Sequence, residues 1–208
     1  MPAVVAPEIG SPTPVSTRRP VRQALLAAAV SLAYAAVVLA VVALRHELGD
    51  LPRPWLVSYL AAWLVGFGLP VWVSLVPRTG SMMPRWRLGR AFAIVNAIGF
   101  VAAGLLVPRS APTSLDRGLA SAHGCLSIGL VTAILPVVVG TLLLRGAAPV
   151  GSRATAAALG ASGGALGGLV LHLHCPIADG VHLGLVHGSV VAIAALLAAA
   201  LVPRALEP

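Results

Sequence analysis

The chain has 208 residues, of which 58% are hydrophobic and only 10% charged, and its mean hydropathy is +0.95. A water-soluble domain carries about 25% charged residues, so this composition excludes an ordinary soluble protein and indicates an integral membrane protein. The formal net charge of +8 does not indicate nucleic-acid binding, because the arginines stand between apolar runs and form no stripe with interleaved aromatic residues.

The N-terminal segment, residues 1–22, is rich in proline and ends in the basic cluster Arg18, Arg19 and Arg22. This pattern predicts a polar tail with a positive anchor at the membrane surface. Residues 23–44 then form an apolar run long enough to cross a bilayer. A signal peptide is the alternative, but the run continues well past the cleavage-like sequence around Tyr34, so we expect an uncleaved span.

Five further apolar runs follow, each bounded by proline, arginine or glycine. They cover about residues 55–76, 88–107, 123–144, 154–174 and 181–202. The predicted fold class is therefore all-α, a polytopic membrane protein with six transmembrane helices and short loops. We expect three parts: an N-terminal tail (1–22), a six-helix transmembrane domain (23–202) and a C-terminal tail (203–208).

The distribution of charge predicts the orientation of these spans. Six spans place both termini on the same side of the membrane. If that side is the cytoplasm, ten of the 14 arginines lie on inner segments, and four of the six acidic residues lie on outer loops. This positive-inside bias predicts cytoplasmic N- and C-termini.

The interiors of the spans carry few polar groups. No acidic residue or arginine lies at mid-depth, which disfavours a proton- or ion-coupled transporter. Asn96 is the only amide in their interior, and Pro70 and Pro136 are expected to kink the second and fourth helices. The fifth span carries glycines at helical spacing, which predicts close helix packing, either within the molecule or in a homodimer. These glycines are Gly160, Gly163, Gly164, Gly167 and Gly168.

All the histidines and cysteines fall on the predicted outer side, on loops or within the outer turns of the helices. They are His46, His123, Cys125, His172, His174, Cys175, His182 and His187. Two hypotheses fit this one-sided distribution. In the first, Cys125 and Cys175 form a redox pair in an oxidising compartment. In the second, they are soft ligands for zinc, cadmium or copper. The candidate metal ligands are His123, Cys125, His172, His174, Cys175 and His182.

The sequence does not indicate an enzyme, because it has no nucleophile–base arrangement, no Gly-rich phosphate loop and no paired carboxylates. It predicts no resident cofactor, and a divalent or soft metal ion would act as a signal. A simpler interpretation gives the histidines only structural roles at helix ends, where they hydrogen-bond to backbone carbonyls.

Several motifs follow one another along the second half of the chain: Cys125-Leu126 at the start of the fourth span, Leu144 to Pro149 at an inner turn, the Gly/Ala-rich fifth span, and His174-Cys175-Pro176 followed by His187. Their order resembles the NrsF family of six-span bacterial inner-membrane anti-sigma factors, which implies a bacterial inner-membrane location. The resemblance implies that Cys125 and Cys175 are the characteristic cysteine pair and face the periplasm.

The same resemblance implies a function. The protein would hold an extracytoplasmic-function sigma factor at the membrane and release it on metal or oxidative stress, without contacting nucleic acid directly. The candidate sigma-binding residues are Arg18, Arg19 and Arg22, together with the inner loop 77–90. Two alternatives remain: a metal- or haem-handling membrane protein that uses the outer His/Cys cluster as ligands, and a structural membrane subunit with incidental histidines.

Overall fold

The computed structural model describes residues 19–50, 52–76, 85–105, 122–145, 152–177 and 180–206, and every regular element in these ranges is helical. The helices are α1 (Pro20–Val42), α2 (Arg53–Leu75), α3 (Arg85–Leu105), α4 (Ala122–Leu144), α5 (Ser152–His174) and α6 (Gly188–Leu206). A 3₁₀-helix (His46–Asp50) follows α1, and a π-helical turn (His182–His187) leads directly into α6. Within the described ranges, six helices are long and apolar enough to cross a membrane, which confirms the predicted fold class.

The first five helices begin within three residues of the predicted starts, and the sixth span begins with the π-helical turn at His182, one residue after its predicted start. Pro20 lies in the first turn of α1, and Pro54 lies in the first turn of α2. Proline is accepted there because the first-turn N–H groups have no intrahelical acceptor. α6 continues through Pro203 to Leu206, beyond the predicted end of the span at residue 202. Most of the predicted N-terminal tail, residues 1–18, lies outside the described residues.

Helix α5 is the centre of the bundle. Of its apolar 18-residue window, 89% is buried, against half or less in each of the other five spans. Its glycines make this possible: Gly160 and Gly164 face α6, whereas Gly163 and Gly167 face α4. A Cβ atom at Gly164 would collide with the backbone of Val191 on α6. The glycine face is therefore used for packing inside the molecule and is not a surface for a homodimer.

The two ends of the bundle differ in composition. One end of the bundle is called here the cysteine end. It is formed by the end of α1, the start of α2, the end of α3, the start of α4, the end of α5 and the π-helical turn. There the Arg45 backbone N–H donates to the Leu173 carbonyl at 3.0 Å. At the opposite arginine end, Gly89 of α3 packs against Ala154 of α5. Two described arginines, Arg45 and Arg53, belong to the cysteine end. The other eight belong to the arginine end: Arg19, Arg22, Arg85, Arg87, Arg90, Arg145, Arg153 and Arg204.

Candidate functional site

The two cysteines lie in contact at the cysteine end. Cys125 is in the first turn of α4, and Cys175 immediately follows α5, where its backbone N–H donates to the Leu171 carbonyl at 2.7 Å. Both are free thiols and both are buried, and their Sγ atoms are 3.7 Å apart. Residues 50 positions apart in the sequence thus form one dithiol that joins α4 to the turn after α5.

His182 and His187 enter the same site from the π-helical turn. Five residues along an α-helix correspond to a rotation of about 140° beyond one full turn, which would point two side chains to different faces. A π-helical turn forms i→i+5 hydrogen bonds, and the Gly188 N–H to Leu183 carbonyl bond has this spacing. The wider turn brings the two imidazoles together, with ring centroids 5.0 Å apart.

The four side chains form a compact Cys₂His₂ group. His182 Nε2 lies 3.4 Å from Cys175 Sγ. One ligand atom from each of Cys125, Cys175, His182 and His187 lies within 4.8 Å of all the others. This arrangement offers two sulfur and two nitrogen ligands to a single point, the ligand types that bind zinc and other thiophilic metals.

His187 is buried close to Cys175, and the residue is only 1% exposed. It interacts with the Cys175 thiol, but neither ring nitrogen makes a hydrogen bond of good geometry among the described residues. Leaving such a polar group unsatisfied costs about 1–3 kcal/mol. The ring nitrogens of His187 therefore lie where they can coordinate a ligand that is bound at the two thiols.

The two thiols are not equivalent. The hydrogen bond that the Cys125 thiol donates to Cys175 Sγ lowers the pKa of the Cys175 thiol below its ordinary value. Burial opposes this shift, and the hydrogen bond with His182 adds to it. Cys175 is therefore the thiol that ionises first, and the thiolate is the form that attacks oxidants and binds metals.

Arg45 adds a positive charge beside the site. Its side chain is largely buried and interacts electrostatically with both His172 and His187. Its Nε lies 3.8 Å from a carboxylate oxygen of the exposed Glu47. A buried guanidinium disfavours an additional uncompensated cation beside it.

Of the six predicted metal ligands, Cys125, Cys175 and His182 come together, and the other three histidines lie outside the group. His123 is exposed in the first turn of α4. His172 is buried and stacks on Tyr59, with ring centroids 5.3 Å apart.

His174 has a structural contact at the end of α5. Its Nδ1 lies 2.9 Å from the Ala43 carbonyl and is placed to donate a hydrogen bond that fastens α5 to the end of α1. This is the role that the simpler interpretation gave to histidines at helix ends.

His187 belongs to the group but was absent from the predicted ligand set. An ideal α-helix would point it away from His182, and composition does not reveal a π-helical turn. The one available signal was its place in the family pattern after the His-Cys-Pro turn. Among the predicted partner-binding residues, Arg19 and Arg22 are exposed at the start of α1, and Arg18 lies outside the described residues.

Comparison with known proteins agrees with the motif resemblance. Neither the curated proteins nor the solved structures include a significant match to the chain. A family model, NrsF, described as negative regulator of sigma F, matches residues 10–207. Because that match covers nearly the whole sequence, the resemblance is confirmed, and the chain belongs to the NrsF family, negative regulators of sigma F.

Proposed function

We propose that the protein is a membrane-bound anti-sigma factor. It sequesters an extracytoplasmic-function sigma factor at the bacterial inner membrane and releases it when Cys125 and Cys175 are oxidised or bind a metal ion. The observation that carries this proposal is the buried dithiol with its two histidines, in a chain that matches a family of sigma regulators over residues 10–207. No enzymatic activity is part of the proposal.

The proposed orientation places the cysteine end in the periplasm and the arginine end in the cytoplasm. The six-helix domain (23–202) then contacts the lipid bilayer, and the tails 1–22 and 203–208 are cytoplasmic. The charge distribution supports this orientation, because cytoplasmic segments are enriched in arginine and lysine. The proposed sigma-binding surface combines Arg18, Arg19 and Arg22 with the loop 77–90, since exposed arginines suit an acidic protein partner.

The signal would act on the contact between α4 and the turn after α5. Oxidation joins the two Sγ atoms and transfers two electrons to an oxidant such as a peroxide, with loss of the two thiol protons. Metal capture would instead hold the same sulfurs close to their present separation and tie α4 to the π-helical turn. α4 and α5 are in backbone contact at Gly167 and Gly129, so movement of one end of α4 is transmitted to the arginine end as a rigid-body shift.

A sigma-dependent reporter tests the sensor. In cells with the wild-type protein, cadmium or peroxide should induce the reporter, and Cys125→Ser or Cys175→Ser should prevent induction. His123→Ala is the matched control, because His123 is exposed near the same helix end and lies outside the four-residue group. Induction of the cysteine variants to the wild-type level would contradict the proposed sensor.

Co-purification tests the partner. The full-length protein extracted in detergent should retain a sigma factor, and the amount bound should fall after treatment with cadmium or peroxide. Substitution of Arg19 and Arg22 by glutamate should lower the amount bound without changing the yield of the membrane protein. A sigma factor that never co-purifies, even from untreated cells, would refute the partner.

The Cys₂His₂ group also favours a second candidate, a metal-handling membrane protein. Four ligand atoms within 4.8 Å of one another suit a single ion and are too close together to enclose haem. This candidate predicts that metal accumulation by cells depends on the expression of the protein, whereas an anti-sigma factor changes transcription without changing the uptake of the metal.

A further inference from the structure

We infer that Cys125, Cys175, His182 and His187 form one tetrahedral site for a thiophilic divalent cation of the zinc and cadmium class. The inference rests on the proposed function, because it identifies the signal and the full ligand set of the same sensor. It goes beyond the dithiol by assigning the two histidines of the π-helical turn as direct ligands.

The interatomic distances match this coordination. With Zn–S bonds of about 2.3 Å and Zn–N bonds of about 2.0 Å, tetrahedral geometry requires an S–S separation of about 3.8 Å and an S–N separation of about 3.5 Å. The observed Cys125–Cys175 Sγ separation is 3.7 Å, and Cys175 Sγ lies 3.4 Å from His182 Nε2. Every remaining pair of ligand atoms is within 4.8 Å, so small side-chain rotations complete the tetrahedron.

The chemistry of the group selects the class of cation. All four ligands are sulfur or nitrogen atoms, which favours zinc and cadmium over the oxygen-seeking magnesium and calcium. Two thiolates neutralise the charge of a divalent ion, and this compensation is needed in a buried site beside the Arg45 guanidinium. The ion would also bind one of the two buried ring nitrogens of His187, neither of which makes a hydrogen bond of good geometry among the described residues.

The π-helical turn is the element that builds the site. The spacing His182-x₄-His187 falls in the range common among zinc sites. The i→i+5 hydrogen bond at Gly188 holds both imidazoles on the side of Cys175. Three ligands thus come from one short segment and the fourth from α4. Metal binding therefore ties α4 to the start of α6, and it also withdraws both sulfurs from disulfide formation.

The test uses purified full-length protein in detergent with a reductant, titrated with Zn²⁺ and with Co²⁺ as the spectroscopic probe. We expect one equivalent of metal per chain. The Co²⁺ form should show sulfur-to-cobalt charge-transfer absorption and the intense d–d bands of four-coordinate cobalt. His187→Ala and His182→Ala should each weaken Zn²⁺ binding by at least about 100-fold, since even residues that only support metal ligands cost 10–100-fold when lost.

His123→Ala is the control and should bind Zn²⁺ like the wild type. His187→Gln keeps a side chain of similar volume and should also lose affinity, while gel filtration and circular dichroism report whether the variants fold. The Co²⁺ spectrum of the wild-type protein tests the coordination number without any substitution. A weak six-coordinate spectrum, or unchanged affinity in a folded His187 variant, would overturn the site.

Co-purification of a sigma factor, measured with the same variants, separates this inference from the proposed function. A response that depends on Cys125 and Cys175 but survives intact in His187→Ala overturns the four-ligand site and leaves the dithiol sensor standing. Stoichiometric, histidine-dependent Zn²⁺ binding in a protein that retains no sigma factor supports the site and refutes the proposed partner.

Discussion

At the scale of single residues, Asn96 compensates for a donor that Pro70 removes. Pro70 lies inside α2 and has no N–H, so the carbonyl four residues earlier, at Gly66, loses its intrahelical donor. The Asn96 side chain on α3 donates to this Gly66 carbonyl at 2.7 Å. The only amide in the interior of the predicted spans therefore satisfies a backbone group that would otherwise face apolar surroundings without a donor.

We expect Asn96→Leu to destabilise the protein by about 1–2 kcal/mol, because it leaves the Gly66 carbonyl unsatisfied inside the bundle. The measurement is the free energy of unfolding in mixed micelles titrated with a denaturing detergent. Thr132→Val is the control: its hydroxyl donates to the Ile128 carbonyl within the same helix, so its loss should cost much less.

A double-mutant cycle makes this prediction sharper. Pro70→Ala restores an N–H group that can reach the Gly66 carbonyl. In the Pro70→Ala background, Asn96→Leu should therefore cost clearly less than in the wild type, since the two changes act on the same acceptor. Strict additivity of the two effects would contradict the assigned role of Asn96.

At the scale of elements, the glycines of α5 set how closely its neighbours approach. We expect Gly164→Ala to destabilise the bundle, because the added Cβ would collide with the backbone of Val191, which cannot rotate away. Gly99→Ala on α3 is the matched control, since a Cβ there meets nothing within 4 Å. That control should be neutral or stabilising by up to about 1 kcal/mol, the ordinary helix preference of alanine over glycine.

Thermal unfolding of the two variants in detergent gives the comparison directly. Equal unfolding temperatures for Gly164→Ala and Gly99→Ala would show that the α5–α6 contact can widen without cost. The result bears on the proposed mechanism, because a contact that widens freely would not transmit a shift of α4 from one end of the bundle to the other.

The helices were predictable because a span needs about 20 apolar residues, and such runs, bounded by proline and arginine, are visible in the order of the residues. The one-sided placement of Cys125 and Cys175 also followed from that topology. Their 3.7 Å contact did not, since it depends on how α4 and α5 are rotated about their axes. The π-helical turn was not predictable either, because its i→i+5 bonding has no signature in composition, and the role of His187 depends on it.

At the scale of the whole molecule, the two ends of the bundle carry different chemistry. The described part of the cysteine end holds the Cys₂His₂ group and two arginines, whereas eight arginines belong to the arginine end. Such an asymmetry orients a membrane protein with the arginine-rich segments in the cytoplasm. In the proposed orientation, the thiols lie in the oxidising periplasm, which the proposed sensor requires.

Truncations fused to alkaline phosphatase, which is active only in the periplasm, test this orientation. We expect activity for fusions after Asp50 and Ile177, which lie at the cysteine end, and none for fusions after Val76 and Arg145. Fusions of a fluorescent protein that folds only in the cytoplasm should give the reverse pattern at the same four positions. Phosphatase activity only for the fusions after Val76 and Arg145 would place the dithiol in the cytoplasm. The cytoplasm keeps thiols reduced, so the dithiol would not meet an extracytoplasmic oxidant there. That outcome would remove the proposed sensing mechanism while leaving the six-helix fold intact.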